Sequence, residues 1–190
     1  MPRMRDAKIL GALGYALILL GIVTAGNVAW LVLVGLVLAS IAVKYISEIV
    51  NDSSVFTNWT VATAIEVIGL AGVTLVAGIA LIAPIQCFPS GGFASGTLVT
   101  LVAFFVVIWM AFMVSAVFER RAYNRVADLT KVDLFRTAGT IAIIGAVTMI
   151  VLVGIILILI NLIVLAVAFF SLPDEYSPPL PPPPEGVFRT

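Results

Sequence analysis

From Thr137 to Leu172 the chain carries no charged residue. As one α-helix this stretch would run about 54 Å at about 1.5 Å per residue. The hydrocarbon core of a bilayer is about 30 Å thick and takes about 20 residues to cross. The stretch is too long for one span, so it is predicted to form two spans that turn near Leu152 to Gly154.

Four further apolar blocks precede it: Ile9 to Ala25, Val28 to Ile46, Trp59 to Ala83 and Thr97 to Phe118. The expected fold class is therefore all-α. It is an integral membrane bundle of six transmembrane helices, or five if the last block is a single span. Residues 1–172 form the membrane domain, with the last two spans at 137–152 and 155–172. Residues 173–190 form a proline-rich tail. Composition supports this. The chain of 190 residues is 62% hydrophobic and 11% charged, whereas soluble domains are about 25% charged. So much apolar surface cannot be hidden in one small core. The first block resembles a signal peptide, with a basic start and the small residues "VTAGN" after it. The apolar run resumes at once with Val28, so the block is read as a retained span.

The charges orient the bundle. Basic residues near span ends favour the cytoplasmic side. With the N-terminus inside, Arg3, Arg5, Lys8, Lys44, Arg120, Arg121, Arg125, Lys131, Arg136 and Arg189 all fall inside. The outer connectors "TAGN", "PIQCFPSGGFASG" and "LVG" hold no charge. Both termini are then inside, and the expected location is the cell membrane, multi-pass.

Several chemistries lack their residues. There is no His and only Cys87 among the thiols. That removes an intramolecular disulfide, a His/Cys metal site and a histidine base. "GGFASG" lacks the lysine of a phosphate loop. The formal net charge is zero, so no global field attracts nucleic acid. No catalytic residue, metal ligand or cofactor is assigned, and the chain is expected not to be an enzyme.

Two intramembrane polar residues stand out. Glu66 is read as the one carboxylate inside a span. Ionisable groups at that depth are costly and are functional candidates by default. Its neighbours at helical spacing are Ala62, Gly69 and Val73, with Gly72 close by, a small-residue face suited to helix packing. It reads as an ion or proton site, or as a polar contact to the next helix. Asn161 recurs with Gly154 and Ala168 every seven residues on one stripe, where an amide joins helices by hydrogen bonds. A direct contact between Glu66 and Asn161 is not expected. A weak internal echo relates Lys8, Gly11 and Gly26 to Arg136, Gly139 and Gly154; chance is the default in a glycine-rich apolar chain.

The stretch "VFERRAYNRVADLTKVDLFRTAG" holds half of the basic residues: Arg120, Arg121, Arg125, Lys131 and Arg136. Phe118, Ala122, Val126 and Leu129 follow an amphipathic helical period. Thr130 is predicted to cap a second helix, with Asp133 three residues on and a staple between Leu129 and Leu134. One helical piece extends the fourth span and the other leads into the fifth. Its modest net charge suits lipid headgroups or a protein partner rather than nucleic acid. In the tail, Pro178, Pro179, Leu180 and Pro181 form a candidate docking motif for an aromatic groove; a stiff solvated tail is the plainer reading.

The segments "AKILGALG", "KYISEIVNDSSVF", "RRAYNRVADLTKVDLFRTAG" and "AFFSL" resemble a family of small archaeal membrane proteins catalogued as domain of unknown function 996. The likeness runs from Ala7 to Leu172. It implies a polytopic membrane protein without an assigned activity, and no family residues are carried over. Where the family pattern leads one to expect a Thr-Gly-like turn, this chain has Thr130-Lys131. The leading functional expectation is a non-enzymatic accessory or scaffold subunit in contact with the lipid bilayer, with protein partners at the tail or inner loops and an open oligomeric state. The alternative is a small ion- or proton-coupled transporter or channel using Glu66.

Overall fold

The computed structural model describes residues 3–24, 28, 30–87, 95–151 and 153–176, without the side chains of 73, 74 and 76–101. Six α-helices carry the chain: α1 Met4–Val23, α2 Trp30–Ile49, α3 Ser53–Cys87, α4 Ser95–Thr130, α5 Leu134–Thr148 and α6 Val153–Phe170. A short 3₁₀ turn, Met149–Val151, separates α5 from α6. No strand occurs among the described residues. All six helices contain a stretch long and apolar enough to cross a membrane.

The last apolar block is two helices, as its length requires. Gly145 and Gly154 let the turn close: a Cβ on Gly154 would collide with the Gly145 carbonyl and with the Met149 backbone. Length alone is a poor criterion, however. Helices α3 and α4 have 35 and 36 residues, as long as the block that had to be split. The difference is polarity. Helix α4 ends in "ERRAYNRVADLT", which water tolerates, so it can continue beyond the apolar zone. The last block has no such end.

Helices follow one another around a closed ring, each packed on its sequence neighbours, with α6 returning to α1. Odd-numbered helices begin, and even-numbered helices finish, at one charged end. Four ion pairs tie this end together: Lys8–Asp174 at 3.2 Å, Arg125–Asp52 at 2.7 Å, and Arg136 with Asp128 at 2.6 Å and Asp133 at 3.3 Å. The buried core lies in the same half of the bundle. It joins Ala7 and Tyr15 of α1, Ala42 and Ile46 of α2, Val55 and Trp59 of α3, Tyr123 and Val126 of α4, Phe135 of α5 and Phe169 of α6. Large aliphatic residues face outward, including Leu33, Ile68, Val107 and Ile156. Such an exterior suits lipid.

The connectors at the charged end are specified by local chemistry. Asn51 adopts φ 53°, a left-handed conformation that Asn tolerates better than most residues. The Asp52 N–H then bonds back to the Ser47 carbonyl at 3.0 Å. The Asp52 carboxylate accepts the Ser54 N–H at 3.0 Å and the Ser54 hydroxyl at 2.6 Å, capping α3. Its other oxygen accepts from Arg125 Nε at 2.7 Å. One carboxylate thus starts α3 and clips it to α4.

The predicted cap at Thr130 is corrected. Thr130 is the last residue of α4, and its hydroxyl donates to the Val126 carbonyl at 2.7 Å. Helix α5 starts later, after Asp133, whose side chain makes no capping bond. Lys131 supplies the turn with φ 61°. Its N–H bonds to the Ala127 carbonyl at 2.8 Å. The backbone therefore keeps the glycine-like turn although the residue is Lys.

Candidate functional site

Glu66 lies roughly 20 Å along α3 from its charged end, by the helical rise. It is half-buried, on the face that meets α4. That face carries small residues. Cβ atoms added at Gly69 and Gly72 would lie 3.9 Å and 3.6 Å from Phe112 and Phe104 of α4, an ordinary packing distance. Between these helices the Ser115 hydroxyl lies 2.8 Å from Glu66 Oε1 and 3.1 Å from the Ala62 carbonyl. Ser115 is fully buried.

The fourth helix does not stop at Phe118, where the sequence reading ended its span, but runs on to Thr130. It brings Glu119 one turn from Ser115 on the same helical face. Glu119 is half-buried and lies within electrostatic reach of Glu66. The two carboxylates come from adjoining helices, and Ser115 stands one turn from Glu119 and in hydrogen-bond contact with Glu66.

A chain of aromatic donors runs into it. The Trp59 indole N–H donates to the Tyr15 hydroxyl at 3.2 Å. The Tyr15 and Tyr123 hydroxyls are 2.8 Å apart. The Tyr123 hydroxyl donates to Glu119 Oε1 across 3.4 Å, a long contact by the usual standard. Tyr15, Tyr123 and Trp59 are buried, so these bonds satisfy groups that have no bulk water to turn to. Phe169 and Phe135 complete the packing, with ring centroids 5.4 Å from Tyr15 and 6.3 Å from Tyr123. Three helices, α1, α3 and α4, thereby meet at one polar cluster.

Sequence reasoning named Glu66 and missed Tyr15, Trp59, Ser115, Glu119 and Tyr123. A signal was present. Ser115, Glu119 and Tyr123 fall at four-residue intervals, one stripe of a helix. Ending the span at Phe118 cut that stripe in two.

The other candidates are placed apart from this cluster. Asn161 is buried on α6, and its Oδ1 has no hydrogen-bond partner among the described residues. Among the described residues it shows no hydrogen bond joining helices. Arg120, Arg121, Arg125, Lys131 and Arg136 all have exposed side chains. Arg125 holds Asp52, and Arg136 holds Asp128 and Asp133. Arg121 lies over the Phe118 ring at 5.6 Å. The Arg120 backbone passes so close to Gly139 that a Cβ there would be 3.1 Å away. Lys131 forms the turn. The Ser54 hydroxyl, then Arg125 and after it the Ser54 N–H, hold the Asp52 carboxyl below the usual Asp value. Helix α3 runs to Cys87, so this residue is helical rather than in a loop; its side chain, and Pro178, Pro179, Leu180 and Pro181, lie outside the described residues. No group of three or more metal-binding side chains occurs among the described residues.

The family described as "Protein of unknown function (DUF996)" matches residues 31–163. The chain belongs to that family. It is also 30% identical over 172 residues to the uncharacterized protein MJ1644 of the archaeon Methanocaldococcus jannaschii, covering 90% of this chain and 94% of that one. No solved structure matches the chain. The DUF996 match includes α3 and α4 up to and beyond the carboxylate pair, and excludes Tyr15 and the tail.

Proposed function

We propose that this DUF996 protein is a non-enzymatic, multi-pass protein of the cell membrane that takes up and releases a small cation, a proton or a monovalent metal ion, at Glu66 and Glu119. Its charged end faces the cytoplasm, following the distribution of basic residues. The observation that carries the reading is the pair itself. Two carboxylates on adjoining apolar helices are costly to bury, and such groups mark ion or proton pathways. A purely structural contact between α3 and α4 would need only one of them. The test is flux in liposomes under an imposed proton or sodium gradient. Glu66→Gln is expected to reduce flux by about tenfold or more while the protein stays folded and monodisperse. A wild-type protein without flux under either gradient, or unchanged flux in Glu66→Gln, would end this reading.

A second reading, an accessory or scaffold subunit, draws on the charged end. Arg120, Arg121, Arg125, Lys131 and Arg136 all have exposed side chains there. Such a surface suits anionic headgroups or an acidic partner. Removing Ser177 to Thr190 tests the tail as a docking element; identical pull-downs with and without it would end that version.

A further inference from the structure

The hydrogens around the two carboxylates can be counted, and they do not balance if both are ionised. Ser115 has one hydroxyl hydrogen and faces two acceptors, Glu66 Oε1 at 2.8 Å and the Ala62 carbonyl at 3.1 Å. Both distances are hydrogen-bond lengths or close to them. One more hydrogen is needed between these three oxygens. If Glu66 carries it, Glu66 donates to Ser115 and Ser115 donates to Ala62, and every contact is a bond. Glu119 shows the opposite balance. The Trp59 indole can only donate. It therefore gives its hydrogen to Tyr15, Tyr15 gives its own to Tyr123, and Tyr123 gives its own to Glu119. All three donors point toward Glu119. Reversing the last link would leave one of the two tyrosines accepting twice, with its own hydrogen unplaced. Among the described residues nothing accepts a hydrogen from Glu119.

We infer that Glu66 and Glu119 form a one-proton site, with the proton on Glu66 and the charge on Glu119, and that the species bound there is the proton. This rests on the carboxylate site proposed above and names its ligand. The geometry favours a proton over a metal ion. The count above is short by one hydrogen, which a proton supplies and a metal ion does not. Between Glu66 and Ser115 there is room for a hydrogen. Two carboxylates within electrostatic reach of each other also carry one charge more readily than two. The tyrosine pair has a defined part in this. It keeps a line of donors on Glu119, so the proton settles on the partner that lacks such a line.

Dicyclohexylcarbodiimide tests the assignment. This apolar reagent takes the proton of a neutral carboxylic acid onto one nitrogen. The carboxylate oxygen then bonds to its central carbon, and the acyl group migrates to nitrogen as a stable acylurea. The full-length protein in lipid nanodiscs is treated and mapped by mass spectrometry. Glu66 is expected to be labelled about tenfold more than Glu119, the ratio that a one-unit difference in proton affinity gives. Tyr123→Phe removes the donor from Glu119 and should shift label toward it. Ser115→Ala should change labelling at Glu66 and leave Glu119 low. Both are small changes, and retained helicity and Trp fluorescence confirm folding. Equal labelling of the two residues, preference for Glu119, no labelling of Glu66, or a Tyr123→Phe pattern identical to wild type would each overturn the inference. The two proposals fail separately. Label on Glu66 without any flux ends the transport reading and leaves the one-proton site. Flux that depends on Glu66 with both residues labelled alike does the reverse.

Discussion

In the α1–α2 hairpin the backbones touch; in the α3–α4 hairpin side chains stand between them. A Cβ on Gly14 would lie 2.8 Å from both Ala39 N and the Gly35 carbonyl, and one on Gly35 would lie 2.5 Å from the Gly14 carbonyl. At Gly21 it would meet Val32 Cγ2 at 2.6 Å. Small residues let apolar helices associate this closely, where the contact must come from van der Waals packing rather than from exclusion of water. The α3–α4 interface has glycines too, yet Gly69 and Gly72 face the rings of Phe112 and Phe104 at ordinary distances. That wider spacing accommodates a buried Ser115 and two carboxylates. Close packing and polar chemistry are thus divided between a hairpin of two 20-residue helices and one of 35- and 36-residue helices.

The largest expected effect breaks this contrast directly. Gly35→Ala places a methyl group against the α1 backbone, which has no rotamer by which to move away. Overpacking of this kind costs about 3 kcal/mol or more when the backbone itself must shift. Gly69→Ala meets only Phe112 at 3.9 Å and should change stability by about 1 kcal/mol or less, with gain expected from the better helix former. Thermal or denaturant unfolding of the two variants in one detergent checks both. If Gly69→Ala is as damaging as Gly35→Ala, the two hairpins do not differ as described.

The contrast also explains what could be read from the sequence. Apolar length and the absence of charge in the outer connectors define six helices and their common charged end. The polar cluster was only half visible. Glu66 stands alone in an apolar run, so depth marks it. Glu119 precedes Arg120 and Arg121 and reads as the start of a solvated segment; only the unbroken length of α4 turns it toward Glu66. Tyr15 and Trp59 look like ordinary interior aromatics, because their meaning depends on α1, α3 and α4 converging. A ring closure of that kind is long-range and leaves no local pattern. Lys131 fails for another reason. Its left-handed backbone conformation goes against the preference of its side chain, and on either side Leu129 and Leu134 pack against the core.

A middle-sized effect sharpens the account of the α3–α4 hairpin. Asp52 both caps α3 and binds Arg125 of α4. Asp52→Asn keeps a cap acceptor and loses the charge; Asp52→Ala loses both. The cap is worth about 1 kcal/mol, so Ala should be the more destabilising by about that amount. The acid limb follows from the sign. The folded carboxyl titrates below its ordinary value of 3.8. Its contribution is complete above that value and is lost as the pH falls through the lower, folded one. Unfolding followed from pH 6 down to about pH 3 should therefore show a shallower decline in Asp52→Asn than in wild type. Parallel curves would mean that Asp52 acts through its cap alone.

The smallest effect concerns the turn after α4. Lys131 holds φ 61°, where a side chain other than that of Gly costs about 1 kcal/mol or more. Replacing it by Gly removes that strain and adds chain entropy to the unfolded state, which offsets about half of the gain. The net expectation for Lys131→Gly is a stabilisation of about 0.5 kcal/mol, seen as a small upward shift of the unfolding midpoint. Lys131→Ala is the control: it discards the ammonium but keeps the Cβ, so it should show no such gain. If the two variants behave alike, the charge at 131 matters more than the backbone. In that case the turn would have been selected for its contact with headgroups or a partner rather than for the path it gives the chain from α4 into α5.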